Sequence, residues 1–191
     1  RAVKVTGAQG REWLERSAGI YNQIDPTKDG EQDLINPKFP AYNFDVIAGV
    51  QYKIDPTQAS RYDNDGKLVN PDAHRIKDLT YNGKPVADDQ VFIVATNNYR
   101  AGGGGNFPGN DGTTIVLDAP DLTRDAIMRY IIERKEVAPK ADGSWSLLPP
   151  SGKAIVTFTT GPNAAAYQPA GIKVEKMGDA PEGFIKYRIV G

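Results

Sequence analysis

Apolar residues change their spacing several times along this chain, and each change marks a predicted element. Residues 1–5, with Val3 and Val5 alternating against Lys4, read as a short strand already under way. Thr6-Gly7 ends it and offers a helix start. Trp13, Leu14, Ser17 and Ala18 then share one helical face, with Arg11, Glu12, Glu15 and Arg16 on the other and Gly19 as a stop. Residues 25–42, dense in Asp, Pro, Lys and Gly, read as a long excursion. Phe44, Val46 and Ile47 predict the beginning of a strand, Gly49 a turn, and Val50 to Ile54 an alternating antiparallel strand. Residues 75–81 predict another strand, and Asn82-Gly83 is a hairpin signal. The predicted partner is the run 91–96, apolar almost throughout and suited to a buried central position.

Beyond an unusual segment at 97–111, residues 114–117 predict a strand. The most regular helical pattern follows. Asp118 is its expected cap and Pro120 suits its first turn. Leu122, Ala126, Ile127, Tyr130, Ile131 and Arg134 form its expected inner stripe, and Ala138-Pro139 ends it. Residues 155–159, 172–176 and 184–190 supply further strands. Trp13 is expected to anchor the first helix, and Trp145 to pack a loop against the body. No repeat or domain boundary stands out, so one domain over residues 1–191 is expected. Its class is α+β, with mixed, mostly antiparallel sheet layers and flanking helices.

Composition narrows the function classes. Net charge is −1, with both signs interspersed, where a nucleic-acid binder needs a basic stripe. No apolar run approaches a membrane span, and no membrane partner is expected. The absence of cysteine removes disulfides, thiolate catalysis and Cys-based zinc sites. The chain opens inside a strand, which points to a piece of a longer protein.

Catalytic candidates are few. A dinuclear metal phosphoesterase needs several His and Asp ligands, and His74 is the single histidine. It reads as a surface or structural residue. No Gly-x-Ser-x-Gly elbow presents a serine. Gly102 to Gly105 lack the Gly-Lys-Ser/Thr ending of a phosphate loop. Two Asp-rich stretches, Asp25-Pro26-Thr27-Lys28-Asp29-Gly30 and Asp63-Asn64-Asp65-Gly66, miss calcium-loop ligands and read as Asx-type turns.

The segment 97–111 is more suggestive. Its glycines mark either a mobile loop or one kept small so that a ligand approaches the backbone. Tyr99 and Phe107 offer flat faces, which suit a nucleobase. Asn97, Asn98, Asn110 and Asp111 offer hydrogen-bonding groups, and a carboxylate suits ribose hydroxyls. Tyr42-Asn43-Phe44 reads either as a pocket edge or as the approach to a strand with Phe44 in the core.

Gly10-Arg11-Glu12-Trp13-Leu14-Glu15-Arg16-Ser17-Ala18-Gly19, followed by Tyr21-Asn22-Gln23-Ile24-Asp25, is similar to the bacterial 2′,3′-cyclic-nucleotide 2′-phosphodiesterase/3′-nucleotidases. So are Tyr42-Asn43-Phe44-Asp45-Val46-Ile47, Arg75-Ile76-Lys77-Asp78-Leu79-Thr80, Asn82-Gly83-Lys84-Pro85 and, above all, Val94-Ala95-Thr96-Asn97-Asn98-Tyr99-Arg100-Ala101. The matches keep their order through most of the chain. The resemblance implies the C-terminal domain of a 5′-nucleotidase-type enzyme, periplasmic or otherwise exported. It implies two divalent metal ions in an N-terminal catalytic domain that this chain lacks, and no cofactor in the chain itself. It also implies a base clamped between two aromatic rings, with Tyr99 as one of them and the other upstream of Arg1. Asp111 would contact the ribose, and Gly102 to Gly105 would let the backbone turn close to the ligand. The expected partner is therefore a nucleotide or nucleoside, and the chain alone is expected to be inactive. The alternative is a free-standing nucleoside- or sugar-binding module without catalysis.

Overall fold

The computed structural model describes residues 1–149, 151–167 and 172–190. Three sheets carry the architecture. In the first, β1 (Ala2–Thr6) lies between β6 (Val91–Ala95) and β7 (Ile115–Leu117), antiparallel to both. In the second, β3 (Val50–Ile54) and β4 (Ile76–Tyr81) form an antiparallel pair. It is extended by β5 (Lys84–Pro85) beside β4 and by β8 (Trp145–Leu147) parallel to β3. In the third, β9 (Ala154–Thr160), β10 (Lys173–Asp179) and β11 (Ile185–Val190) pair antiparallel in the order β10-β11-β9. There β2 (Gly30–Asp33) joins β9 in parallel. The expected α+β class with mostly antiparallel sheets is the observed one.

Helix α1 (Gly7–Ser17) joins the layers. It starts at once after β1 because Thr6 and Gln9 cap each other. The Thr6 hydroxyl accepts the Gln9 N–H at 3.2 Å, and the Gln9 side chain accepts the Thr6 N–H at 2.8 Å. Leu14 packs into a core with Ile24, Tyr52, Ile54, Ile76 and Val156. Trp13 packs into a smaller one with Val3, Val5, Ala101 and Phe107. As expected, Trp13 and Leu14 point inward. Contrary to expectation, Glu15 and Arg16 are also buried, at 0% and 1% exposure. Hydrogen bonds offset that burial for Glu15 but only in part for Arg16, whose Nε and Nη1 have no partner among the described residues. Glu15 accepts the backbone N–H groups of Arg75 and Ile76 at 2.9 and 3.0 Å. Arg16 donates to the Asn64 carbonyl and lies over the Phe39 ring.

Four other expectations are corrected. The chain at Phe44 to Ile47 is not a strand. A 3-10 turn at Ala41–Asn43 precedes it, and Phe44 instead sets its ring edge-on to Trp145 in the core. The Asn82-Gly83 turn joins β4 to β5, not to the apolar run after it. That run is β6, which pairs with β1 and forms a sheet edge with Val91 and Ile93 exposed, rather than a buried central strand. Finally, α3 (Thr123–Arg134) begins after Leu122 without a side-chain cap, while Asp118 pairs with Arg1 at 2.8 Å. None of its residues is buried, so the expected inner stripe is exposed.

Candidate functional site

The site is built where β6 ends. Asn97 caps α2 (Asn98–Ala101), its side chain accepting the Arg100 N–H at 2.8 Å. One helical turn then sorts the residues. Arg100 and Ala101 point inward, while Asn97, Asn98 and Tyr99 are exposed. Tyr99 is 55% exposed.

The glycine loop folds back under that ring. A Cβ on Gly104 would stand 2.6 Å from Cδ1, Cδ2 and Cε1 of Tyr99. Equal distances to both sides of the ring place Gly104 over its face. The bare backbone therefore props the phenol, and the Gly104 N–H bonds back to the Tyr99 carbonyl at 2.8 Å. Gly105, at φ +80°, is equally confined, because a Cβ there would meet Arg100 and Asn43 at 2.2 and 2.5 Å. The loop is small because its own chain packs against it.

Arg100 locks this arrangement. Its Nε donates to Asp45 Oδ2 at 2.6 Å and its Nη2 to Asp45 Oδ1 at 2.9 Å. Trp13 Nε1 donates to the same carboxylate at 2.8 Å. The guanidinium also bonds the Gly104 carbonyl and lies 3.8 Å from the Phe107 ring centroid. Phe107 is thus buried beneath Arg100, and it offers no face to a ligand. Sequence reasoning missed Asp45, Arg100 and the propping role of Gly104. Asp45 and Arg100 both lie in quoted motifs, but nothing in a one-dimensional pattern pairs residues 55 apart.

The remaining candidates fall into two groups. Tyr42 is exposed, and its backbone carbonyl accepts from Arg100 at 3.4 Å, while the Tyr99 ring lies 5.7 Å from the same guanidinium. Asn43 is buried, and its amide oxygen accepts from Arg100 at 3.2 and 3.3 Å. It supports the loop from within. Gly102 ends α2 with ordinary backbone angles and is exposed. Asp111 is exposed and neighbours Gly103, whose Cβ position is 3.7 Å from the Asp111 Cα. Its Oδ1 accepts from the Thr113 hydroxyl and N–H at 2.6 and 2.9 Å. Those bonds hold its carboxyl below the usual aspartate value. Asn110 is buried, and its amide has no partner among the described residues.

A cleft of about 910 Å³ runs beside β6, lined by Phe44, Ile47, Tyr81, Ile93 and Asn97 among others. It reaches Asn97 but not Tyr99 or Asp111. The tyrosine ledge and the cleft are neighbours, not one cavity.

Among the described residues, no three His, Cys, Asp or Glu side chains gather to hold a metal. His74 is exposed, with Nδ1 3.6 Å from Glu15. Asp25 and Asp63 are spent on their own turns, Asp25 accepting from Thr27 and Asp63 from Asp65 and Lys67. This donor set does not fit a dinuclear metal centre.

Residues 1–111 match the family described as the 5′-nucleotidase C-terminal domain. A trifunctional nucleotide phosphoesterase of Bacillus subtilis is 46% identical over 98% of the chain, which spans 13% of that protein. A 2′,3′-cyclic-nucleotide 2′-phosphodiesterase/3′-nucleotidase of Haemophilus influenzae is 44% identical over 98% of the chain, here 30% of the relative's length. The Salmonella typhimurium protein of the same name is 48% identical over 86% of the chain and 27% of its own length. A Staphylococcus aureus structure described as a 5′-nucleotidase shares the fold. It has a TM-score of 0.58 and 22% identity, over 77% of this chain and 26% of that one. The chain thus spans less than a third of each of these proteins.

Proposed function

Because the chain belongs to the 5′-nucleotidase C-terminal domain family, we propose that it is the nucleoside-recognising part of a larger phosphoric ester hydrolase of the cyclic-phosphodiesterase/3′-nucleotidase kind. The observation that carries the reading is Tyr99, an exposed phenol propped on one face by the backbone of Gly104. A rigid aromatic ledge suits a base, because stacking needs a flat face and little hydrogen-bond matching. Asp111 is ionised near neutral pH, with Oδ2 left over from its turn to accept ribose hydroxyls. Asn97 and Asn98 stand exposed beside the ring as further donors and acceptors. Tyr42, whose backbone carbonyl accepts from Arg100, is the further aromatic candidate.

On this reading, hydrolysis and its two divalent metal ions belong to an N-terminal part of the parent, and the parent is periplasmic or otherwise exported. This chain contributes positioning. One stacked ring is worth about 1–3 kcal/mol, less than the entropy of association costs. The chain alone therefore binds adenosine weakly and hydrolyses nothing.

The test is an NMR titration of the chain with adenosine. Saturable shifts at the Tyr99 ring and the amides of Gly103 to Gly105, lost in Tyr99→Ala, are expected. An unaltered titration in Tyr99→Ala would remove the ledge from the account.

A further inference from the structure

The face of α1 that carries Glu12, Glu15 and Arg16 reads in sequence as solvated, but in the fold it is a seat. The connection from β3 to β4, residues 55–75, is tied to it at three places. Glu12 accepts from Arg61 Nε at 2.8 Å and from the Tyr62 hydroxyl. Arg16 Nη2 donates to the Asn64 carbonyl at 2.9 Å. Glu15 accepts the N–H groups of Arg75 and Ile76, where the connection enters β4. The tip of the connection is a closed turn. Asp63 Oδ1 accepts the N–H groups of Asp65 and Lys67 at 3.0 and 2.8 Å, and the Gly66 N–H bonds the Asp63 carbonyl at 3.1 Å.

That tip abuts the glycine loop of the ledge. Asn106 Nδ2 donates to the Asp65 carbonyl at 2.8 Å, and Arg16 Nη2 reaches the Gly105 carbonyl at 3.4 Å. A Cβ on Gly66, at φ +87°, would stand 2.6 Å from the Asn106 carbonyl oxygen and 2.8 Å from the Asn106 Cβ. The two loops therefore meet where one of them has no side chain. The Phe107 ring, next along, takes both guanidiniums, Arg100 at 3.8 Å and Arg16 at 5.7 Å from its centroid. Gly104 to Phe107 are thus held twice, by Arg100 of α2 and by Arg16 together with the turn. A close-packed contact passes displacement on, because it has no slack to absorb it. We propose that Arg16, Gly66 and Asn106 are positioning residues for nucleoside recognition: the turn at residues 63–66 sets the place of the glycine loop and, through Gly104, the place of the Tyr99 ring. They act through the ring, not on the ligand. The inference rests on the nucleoside-recognition reading and gives that site a second support, more than thirty residues from its motif in the sequence.

Steady-state kinetics of the full-length parent tests it, with an adenosine 3′-phosphate and a phosphate ester lacking a base as substrates. Gly66→Ala, which pushes the turn against Asn106, is expected to raise KM for the nucleotide about threefold or more. Its kcat and the base-free substrate should change little. Added to Tyr99→Ala, it is expected to raise KM no further, since both changes act through one ring. The same substitution also strains a positive φ. Gly83→Ala controls for that, because Gly83 has φ +75° and nothing within 4 Å of its Cβ position, and it is expected to leave both substrates unaffected. Should Gly66→Ala not fold, Asn106→Gly takes its place. It keeps the positive φ at residue 106, removes the amide bond to Asp65, and is expected to show the same selective rise. An unchanged nucleotide KM in the variant that folds, an equal loss on both substrates, or a further rise in the Tyr99→Ala background overturns the inference and leaves the nucleoside reading standing. An unchanged nucleotide KM in Tyr99→Ala itself sinks that reading, and the inference with it.

Discussion

Arg100 and Asp45 decide whether Tyr99 has a fixed place. Their two-point ion pair is mostly buried, and Trp13 and Asn43 add bonds to it. Removing one partner strands the other charge in a poorly solvated place. Asp45→Ala is therefore expected to lower stability by about 3 kcal/mol, measured by urea unfolding. Glu12 gives a pH signature. Burial raises its pKa, but the Arg61 guanidinium and the Tyr62 hydroxyl outweigh that and hold it below its ordinary 4.5. A depressed folded pKa adds stability above the unfolded value, lost as pH falls through the folded one. Unfolding midpoints should therefore drop on acidification below about pH 4.5, and less steeply in Glu12→Gln. Glu15 works in the opposite sense. Burial raises its carboxyl pKa, so its contribution is greatest at low pH and declines as pH rises through its folded value. The sequence showed Tyr99 as a candidate because an aromatic beside glycines is visible in one dimension. It misplaced Phe107, Glu15 and Arg16, because residue type alone does not tell a ligand-facing ring from a buried one, or a solvated charge from a buried one.

Elements whose signals are local were legible. β1, α1, β3 and the strands after residue 150 follow their alternation or their caps, and the Thr6–Gln9 box starts α1 where Thr6-Gly7 suggested. Thr6→Ala should cost about 1 kcal/mol by thermal unfolding, with the N-terminal turn of α1 exchanging its amides first. Elements set by distant partners were not legible. β2, with the sequence Gly-Glu-Gln-Asp, has no apolar alternation and becomes a strand only because β9 offers it a parallel edge. β8 owes its strand to β3 in the same way. β6 was misread because a continuous apolar run looks alike in a buried strand and in an edge strand beside an empty trough. The stripe of α3 expected to face inward is exposed, because apolar spacing alone does not say whether a helix face finds a partner.

At the scale of the molecule, the residues that build the ledge all fall within the stretch that matches the family. Trp13, Asp45, Tyr99, Arg100 and Asp111 lie inside residues 1–111. β9, β10 and β11, which lie beyond it, supply a sheet that buttresses the larger core through Val156, Phe158 and Ile189 but places no residue at the ledge. On the proposed reading, the chain fixes one aromatic surface and catalysis belongs to another part of the parent. Positioning by a remote group affects substrate binding more than turnover when it acts equally in ground and transition states. The most direct measurement is steady-state kinetics of the full-length parent and its Tyr99→Ala variant. One substrate is an adenosine 3′-phosphate, and the other a phosphate ester lacking a base. The account predicts that KM for the nucleotide rises about tenfold or more, with kcat and the base-free substrate little changed. An unchanged KM for the nucleotide, or an equal loss on both substrates, would contradict it.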